Sequence, residues 1–123
     1  MEIENGFNLP TDKTAYVNKD EALNRIRGNV KIYKMILQSY TNKTFMEQLA
    51  AELDAGDFDA AAKTIHAIKG VVGNLSLPLV HEKSKALEMK IKDGSVNQQD
   101  RAEFEAIVEK TLYFIGVTLE ELN

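Results

Sequence analysis

The chain has 123 residues, 44% of them hydrophobic and 28% charged, which fits a single domain with one core. It contains no cysteine, so a disulfide scaffold, a thiol nucleophile and a Cys-ligated metal site are excluded, and a cytoplasmic location is expected. A net charge of −4 and a pI near 5.2 argue against nucleic acid or an anionic membrane as the main partner.

Two prolines and seven glycines are few structure breakers, and they favour long helices. Met1-Glu2-Ile3-Glu4-Asn5 has no basic or apolar leader character, and no apolar run approaches the roughly 20 residues of a membrane span. No signal peptide is therefore expected. The chain fits a free-standing protein or equally a domain of a larger one, with the ordinary start at Met1 leaning slightly to the former.

Residues 1–17, with Pro10, read as an extended arm whose Ile3, Phe7, Leu9, Tyr16 and Val17 pack on the remainder. Residues 18–123 read as one helical domain. Asn18 followed by Glu21 resembles a helix cap with its partner, opening a short helix that stops at Gly28. A second helix over 29–41 places Val30, Tyr33, Leu37 and Tyr40 at helical steps. After the polar break at 41–44, a third helix over 43–55 carries Phe45, Leu49 and Leu53, with Gly56 as its terminator.

Asp57 caps a fourth helix over 58–75. Pro78 suits the first position of a fifth, with Leu79, Lys83, Ala86, Leu87 and Ile91 along one face and Asp93-Gly94 as its end. Asn97 and Asp100 open the last helix, which carries Phe104, Val108, Thr111, Ile115 and Leu122. Period-2 alternation is nowhere sustained, so no strands are expected. The pattern predicts an all-α, up-down antiparallel four-helix bundle with an additional short N-terminal helix and the N-terminal arm.

The fourth helix is the informative one. Phe58, Ala61, Ile65, Ile68, Val72 and Leu75 step 3, 4, 3, 4, 3, a heptad seam. His66 falls roughly 130° from the mean direction of that seam, and so faces solvent. Ala62, Lys69, Gly70 and Gly73 stand at helical offsets from it and share its face. Two glycines inside a helix cost about 1 kcal/mol each relative to alanine. Their place beside an exposed imidazole is consistent with a surface cleared for a docking partner.

A neutral imidazole can attack an activated phosphoryl group, and a nearby lysine offsets part of the charge. The chain has no nucleotide-binding glycine loop and no evident acidic cluster for Mg²⁺, so the donor and the metal are expected from a partner protein.

Ile65-His66-Ala67-Ile68-Lys69-Gly70, followed by Gly73-Asn74-Leu75, resembles the H-x-x-K-G signature of histidine-containing phosphotransfer (HPt) domains. Ala22-Leu23, Arg25, Gly28-Asn29 and Tyr33 resemble the start of such domains. Leu53-Asp54-Ala55-Gly56-Asp57-Phe58 resembles the loop before the histidine helix, and Leu87-Glu88 through Gly94 the helix after it.

The resemblance implies a phosphocarrier, not an autonomous enzyme, active in a two-component phosphorelay. It takes a phosphoryl group from a receiver-domain aspartate or a hybrid histidine kinase and passes it to another receiver. It implies His66 as phosphoacceptor, Lys69 as its electrostatic partner, and Gly70, Gly73 and Ala62 as partner-docking residues. It implies no intrinsic cofactor or metal, with Mg²⁺ supplied by the receiver. Ser76 departs from the pattern, which often has glycine ten residues after the histidine.

His81, without glycines in its neighbourhood, reads as an ordinary surface or boundary residue, and Tyr33 and Tyr40 as packing. Arg25, Arg27, Lys31 and Lys34 read as surface charge or as a patch that steers an acidic receiver. A di-iron bundle is a poor alternative because Lys63 and Pro78 stand where Glu-x-x-His would need glutamates. The other reading is an HPt-like module that docks on a kinase or receiver without turnover. A monomer is expected.

Overall fold

The structure, a computed structural model, describes residues 2–4, 6–40 and 44–123. The first three residues of the polar break expected at 41–44, and the packing expected of the Ile3 side chain, lie outside the described residues.

The arm is more structured than its sequence signals. Two strands, β1 (Glu2–Glu4) and β2 (Phe7–Leu9), pair antiparallel with Ile3 opposite Asn8. This corrects the expectation of no strands. Three-residue strands are too short to display alternation. Gly6, at φ +86°, takes the left-handed backbone that so tight a connection needs.

A single turn of helix, α1 (Lys13–Tyr16), follows, capped by the Asp12 side chain accepting from the Thr14 N–H. Tyr16 is fully buried, stacks on Phe114 at 5.1 Å between ring centroids, and donates its hydroxyl to the Pro10 carbonyl at 2.7 Å. Leu9 and Val17 are buried with it, so the arm contributes to the core itself.

The remaining chain is mostly helical, and its boundaries follow local chemistry. Helix α2 (Lys19–Arg25) starts where Asn18 accepts from the Glu21 N–H. It closes through Arg27 and Gly28, both at positive φ. Helices α3 (Val30–Tyr40) and α4 (Thr44–Asp54) come next, and Gly56 at φ +71° ends α4.

Asp57 caps α5 (Phe58–Asn74), and Pro78 sits at the start of α6 (Pro78–Asp93), which Gly94 terminates at φ +74°. Asn97 and Asp100 exchange hydrogen bonds of 2.8 and 3.0 Å in a reciprocal cap that opens α7 (Gln98–Glu121).

Helix α5 packs on both α4 and α6, and α7 packs on α6, α3 and α1. The seam of α5 is buried as expected from Ala61 to Leu75, but Phe58, the first residue of the helix, is 40% exposed. Val30 and Phe45 are likewise exposed, at the starts of α3 and α4.

On α6 the buried stripe is Val80, Ser84, Leu87 and Ile91, not the face begun at Leu79, Lys83 and Ala86. Ser84 hides this stripe from a hydrophobic reading. Its hydroxyl donates to the Val80 carbonyl at 2.7 Å and is satisfied inside its own helix. Thr111 and Thr118 on α7 use the same device toward Ile107 and Phe114.

Ser76 ends the α5 region at φ +54°. It sits in the closing loop of α5, its N–H bonded to the Gly73 carbonyl and that of Leu77 to Val72. This is the position where the resemblance leads one to expect glycine. Serine there is buried, and its hydroxyl has no partner among the described residues. Left-handed backbone costs an L-residue roughly 1–2 kcal/mol, partly offset by the greater chain entropy that glycine loses. Ser76→Gly is therefore expected to stabilise the fold by about 1 kcal/mol, raising the melting temperature by about 4 °C. Thermal denaturation checks this, and a lower melting temperature would show that the hydroxyl contributes to the fold.

Candidate functional site

The imidazole of His66 lies on the exposed face of α5, with 69% of its side chain accessible. Its Nδ1 is 3.1 Å from Glu88 Oε2 on α6. The other oxygen, Oε1, accepts from Lys69 Nζ at 2.7 Å, and Lys92 Nζ lies 3.1 Å from Oε2. Glu88 is therefore the hub: one carboxylate, 6% accessible, joined to an imidazole and two ammonium groups. The ammonium of Lys69 was expected beside the imidazole. The structure links the two through Glu88 instead.

This geometry sets proton positions. The Lys69 hydrogen bond, opposed by burial and helped by Lys92 and His66, holds the Glu88 carboxyl down at about 2. An ionised carboxylate can only accept, so Nδ1 of His66 is the donor. The neutral ring then carries its lone pair on Nε2.

Sequence reasoning paired His66 with Lys69 and placed Glu88 only in the helix that follows, and so missed its contact with the ring. Its only local signals are the Glu88–Lys92 spacing of four and its place beside Leu87 on the buried stripe of α6. The contact itself spans 22 residues and exists only because α5 packs on α6.

The three expected docking positions behave differently. A side chain built at Gly70 would meet nothing within 4 Å, so that stretch of the His66 face is open. Ala62 is half-buried against the core edge. Gly73 is occupied from within: a Cβ there would lie 3.0 Å from Nε2 of His81. Gly73 thus makes room for an α6 side chain, and His81 is a packing partner of a glycine, contrary to expectation. Burial, then Lys85, Lys69 and Arg25, lowers the pKa of His81.

The contrast can be measured. Gly70→Ala is expected to stabilise α5 by about 1 kcal/mol through helix propensity. Gly73→Ala is expected to gain less, because the His81 ring must give way. In a His81→Ala background the two substitutions should become equal, as a double-mutant cycle by denaturant unfolding will read.

Arg25 is engaged structurally. Its Nη1 donates to the Gly73 and Asn74 carbonyls at 2.7 and 3.1 Å, and its Nη2 to Glu21 at 2.9 Å. A cation at these C-terminal carbonyls stabilises the end of the helix that presents His66. Among the described residues, no group of three or more His, Cys, Asp or Glu side chains is arranged to hold a metal ion.

A family model described as Hpt domain matches residues 40–113, more than half of the chain, and the match contains His66, Lys69, Gly70, Gly73 and Glu88. The chain belongs to the Hpt domain family. Hpt domains are phosphocarriers that serve histidine phosphotransfer in phosphorelays and interact with receiver domains or kinases. A search of curated proteins gives no match, and neither does a search of solved structures. No helix of the described residues is long and apolar enough to cross a membrane.

Proposed function

We propose that this domain relays a phosphoryl group between receiver-domain aspartates, or from a histidine kinase to a receiver, with Nε2 of His66 as the acceptor. The observation that carries this reading is an exposed imidazole whose Nδ1 is held by a buried, ionised carboxylate.

The lone pair of Nε2 attacks the phosphorus of an aspartyl phosphate. An N–P bond forms as the P–O bond to the aspartate breaks, and the electron pair returns to that carboxylate. The proton on Nδ1 stays in place, so the phosphorylated ring is cationic, and Glu88 lies against the nitrogen that shares this charge. Lys69 adds positive charge on the same face. Mg²⁺ bound by the receiver would offset the charge on the transferring phosphate. Delivery to a second receiver runs through the same steps in reverse.

The bundle proposed for this role is α4 to α7 in up-down antiparallel order. Helix α2 is the additional N-terminal helix, residues 18–123 form the domain, and residues 1–17 form an arm folded onto it. It acts as a cytoplasmic monomer, with Gly70 and Ala62 on the docking face.

Incubation with a receiver carrying labelled aspartyl phosphate and Mg²⁺ tests the reading. Label moving to this chain supports it, whereas a stable complex without label would favour a docking module without turnover. Gly70→Gln is expected to slow transfer by about tenfold or more, since misplacing the reacting groups by about 1 Å costs up to a hundredfold. Unchanged transfer kinetics would remove Gly70 from the docking face.

A further inference from the structure

On the side of α5 turned away from His66, a cleft of about 250 Å³ opens where α3, α4, α5 and α7 meet. Ile68 and Val71 line it from α5, roughly 200° and 140° around the helix from His66. Tyr40, Met46, Val108 and Leu112 make the rest of the lining mostly apolar. Three glutamates also line it: Glu47 on α4, and Glu105 and Glu109 one turn apart on α7.

All three are exposed, and among the described residues none is in an ion pair. Glu21, Glu103 and Glu121 elsewhere on this surface pair with Arg25, Lys83 and Lys13, whereas Glu47, Glu105 and Glu109 gather at one cleft without such a partner among the described residues. An apolar concavity edged by three carboxylates that form no ion pair among the described residues is complementary to one kind of ligand.

We propose that this cleft binds a small organic cation bearing an apolar group, of the aryl-alkyl amine class. The apolar part sits over Ile68, Val71 and Leu112, and the ammonium meets the glutamates at the edge. Size decides against a partner helix, which is about 10–12 Å across with its side chains. The volume instead approaches the roughly 300 Å³ lower bound of small-molecule pockets. Because the cleft lies behind α5, an occupant leaves the His66 ring free.

The test uses the full chain, labelled with ¹⁵N and titrated with 4-phenylbutylamine. The comparison probe is 4-phenylbutyrate, similar in shape and opposite in charge. The amine is expected to shift the amides of Ile68, Val71, Val108 and Leu112 saturably, while the His66 ring signals stay unmoved. Binding of the carboxylate should be weaker by about tenfold or more. A Glu105→Gln/Glu109→Gln chain should bind the amine about threefold more weakly or worse, with its fold intact by circular dichroism. Equal binding of the two probes, shifts centred on His66, or the absence of saturation would each overturn the proposal. Phosphotransfer does not enter this readout, so its loss would not affect the outcome.

Discussion

His66→Gln is expected to reduce phosphoryl acceptance from a phosphorylated receiver to background while leaving the melting temperature nearly unchanged. Both halves follow from where the ring sits. With 69% of the side chain accessible, its removal opens no cavity, and such surface substitutions change stability by about 0.5 kcal/mol or less. Glutamine keeps a polar side chain opposite Glu88, but its amide nitrogen has no available lone pair. The effect is therefore a loss of the nucleophile, not a slower version of it. Labelled-phosphate transfer and a thermal scan check the two halves separately. Acid-labile label retained on the variant would place the acceptor elsewhere.

Glu88→Gln is expected to slow transfer by about 10- to 100-fold, the range seen when a carboxylate that orients a ligating histidine is lost. The variant keeps the size of the side chain and removes its charge. An amide can donate as well as accept, so Nδ1 no longer has to hold the proton, and the Nε2 lone pair is no longer enforced. The cationic phosphorylated ring also loses its counter-charge.

The effect on the fold should be smaller than the 3–5 kcal/mol typical of breaking a buried ion pair. Lys69 and Lys92 are 27% and 63% accessible, and both can turn to water when Glu88 is neutralised. Transfer kinetics, read with the ¹⁵N shifts of the His66 ring, check the assignment. Slow transfer with an unchanged Nδ1–H tautomer would assign to Glu88 a purely electrostatic role. Unchanged kinetics would remove it from the site.

What could be read in advance was local. Asn18, Asp57, Pro78 and the Asn97–Asp100 pair mark helix starts because a cap involves side chains and amides within three residues. The α5 seam was legible because six apolar residues repeat over five steps, and the same wheel placed His66 outward. The family model then matched the stretch containing the motif.

What escaped was set by packing between elements. Glu88 reaches His66 across the α5–α6 contact, and no periodicity points to it. Gly73 looked like a twin of Gly70 because both share the His66 face, but only a structure shows His81 filling the space beside it. Ser84 is polar by type yet buried and satisfied by its own helix backbone, as Thr111 and Thr118 are on α7, so the first half of the α6 stripe was read at Leu79 and Lys83 in place of Val80 and Ser84, while Leu87 and Ile91 were placed correctly. Ser76 stood out in sequence as a departure from glycine, and its positive φ supplies the physical reason that glycine suits the place.

The proposed relay requires Nε2 of His66 to accept the phosphoryl group while Glu88 holds the proton on Nδ1. Its most direct test is ³¹P and ¹⁵N NMR of the histidine-labelled chain after phosphorylation by a receiver phosphate and Mg²⁺. The geometry predicts one phosphohistidine, at His66, with phosphorus coupled to Nε2 and a proton retained on Nδ1. Phosphorus on Nδ1, on His81, or on no histidine would contradict it.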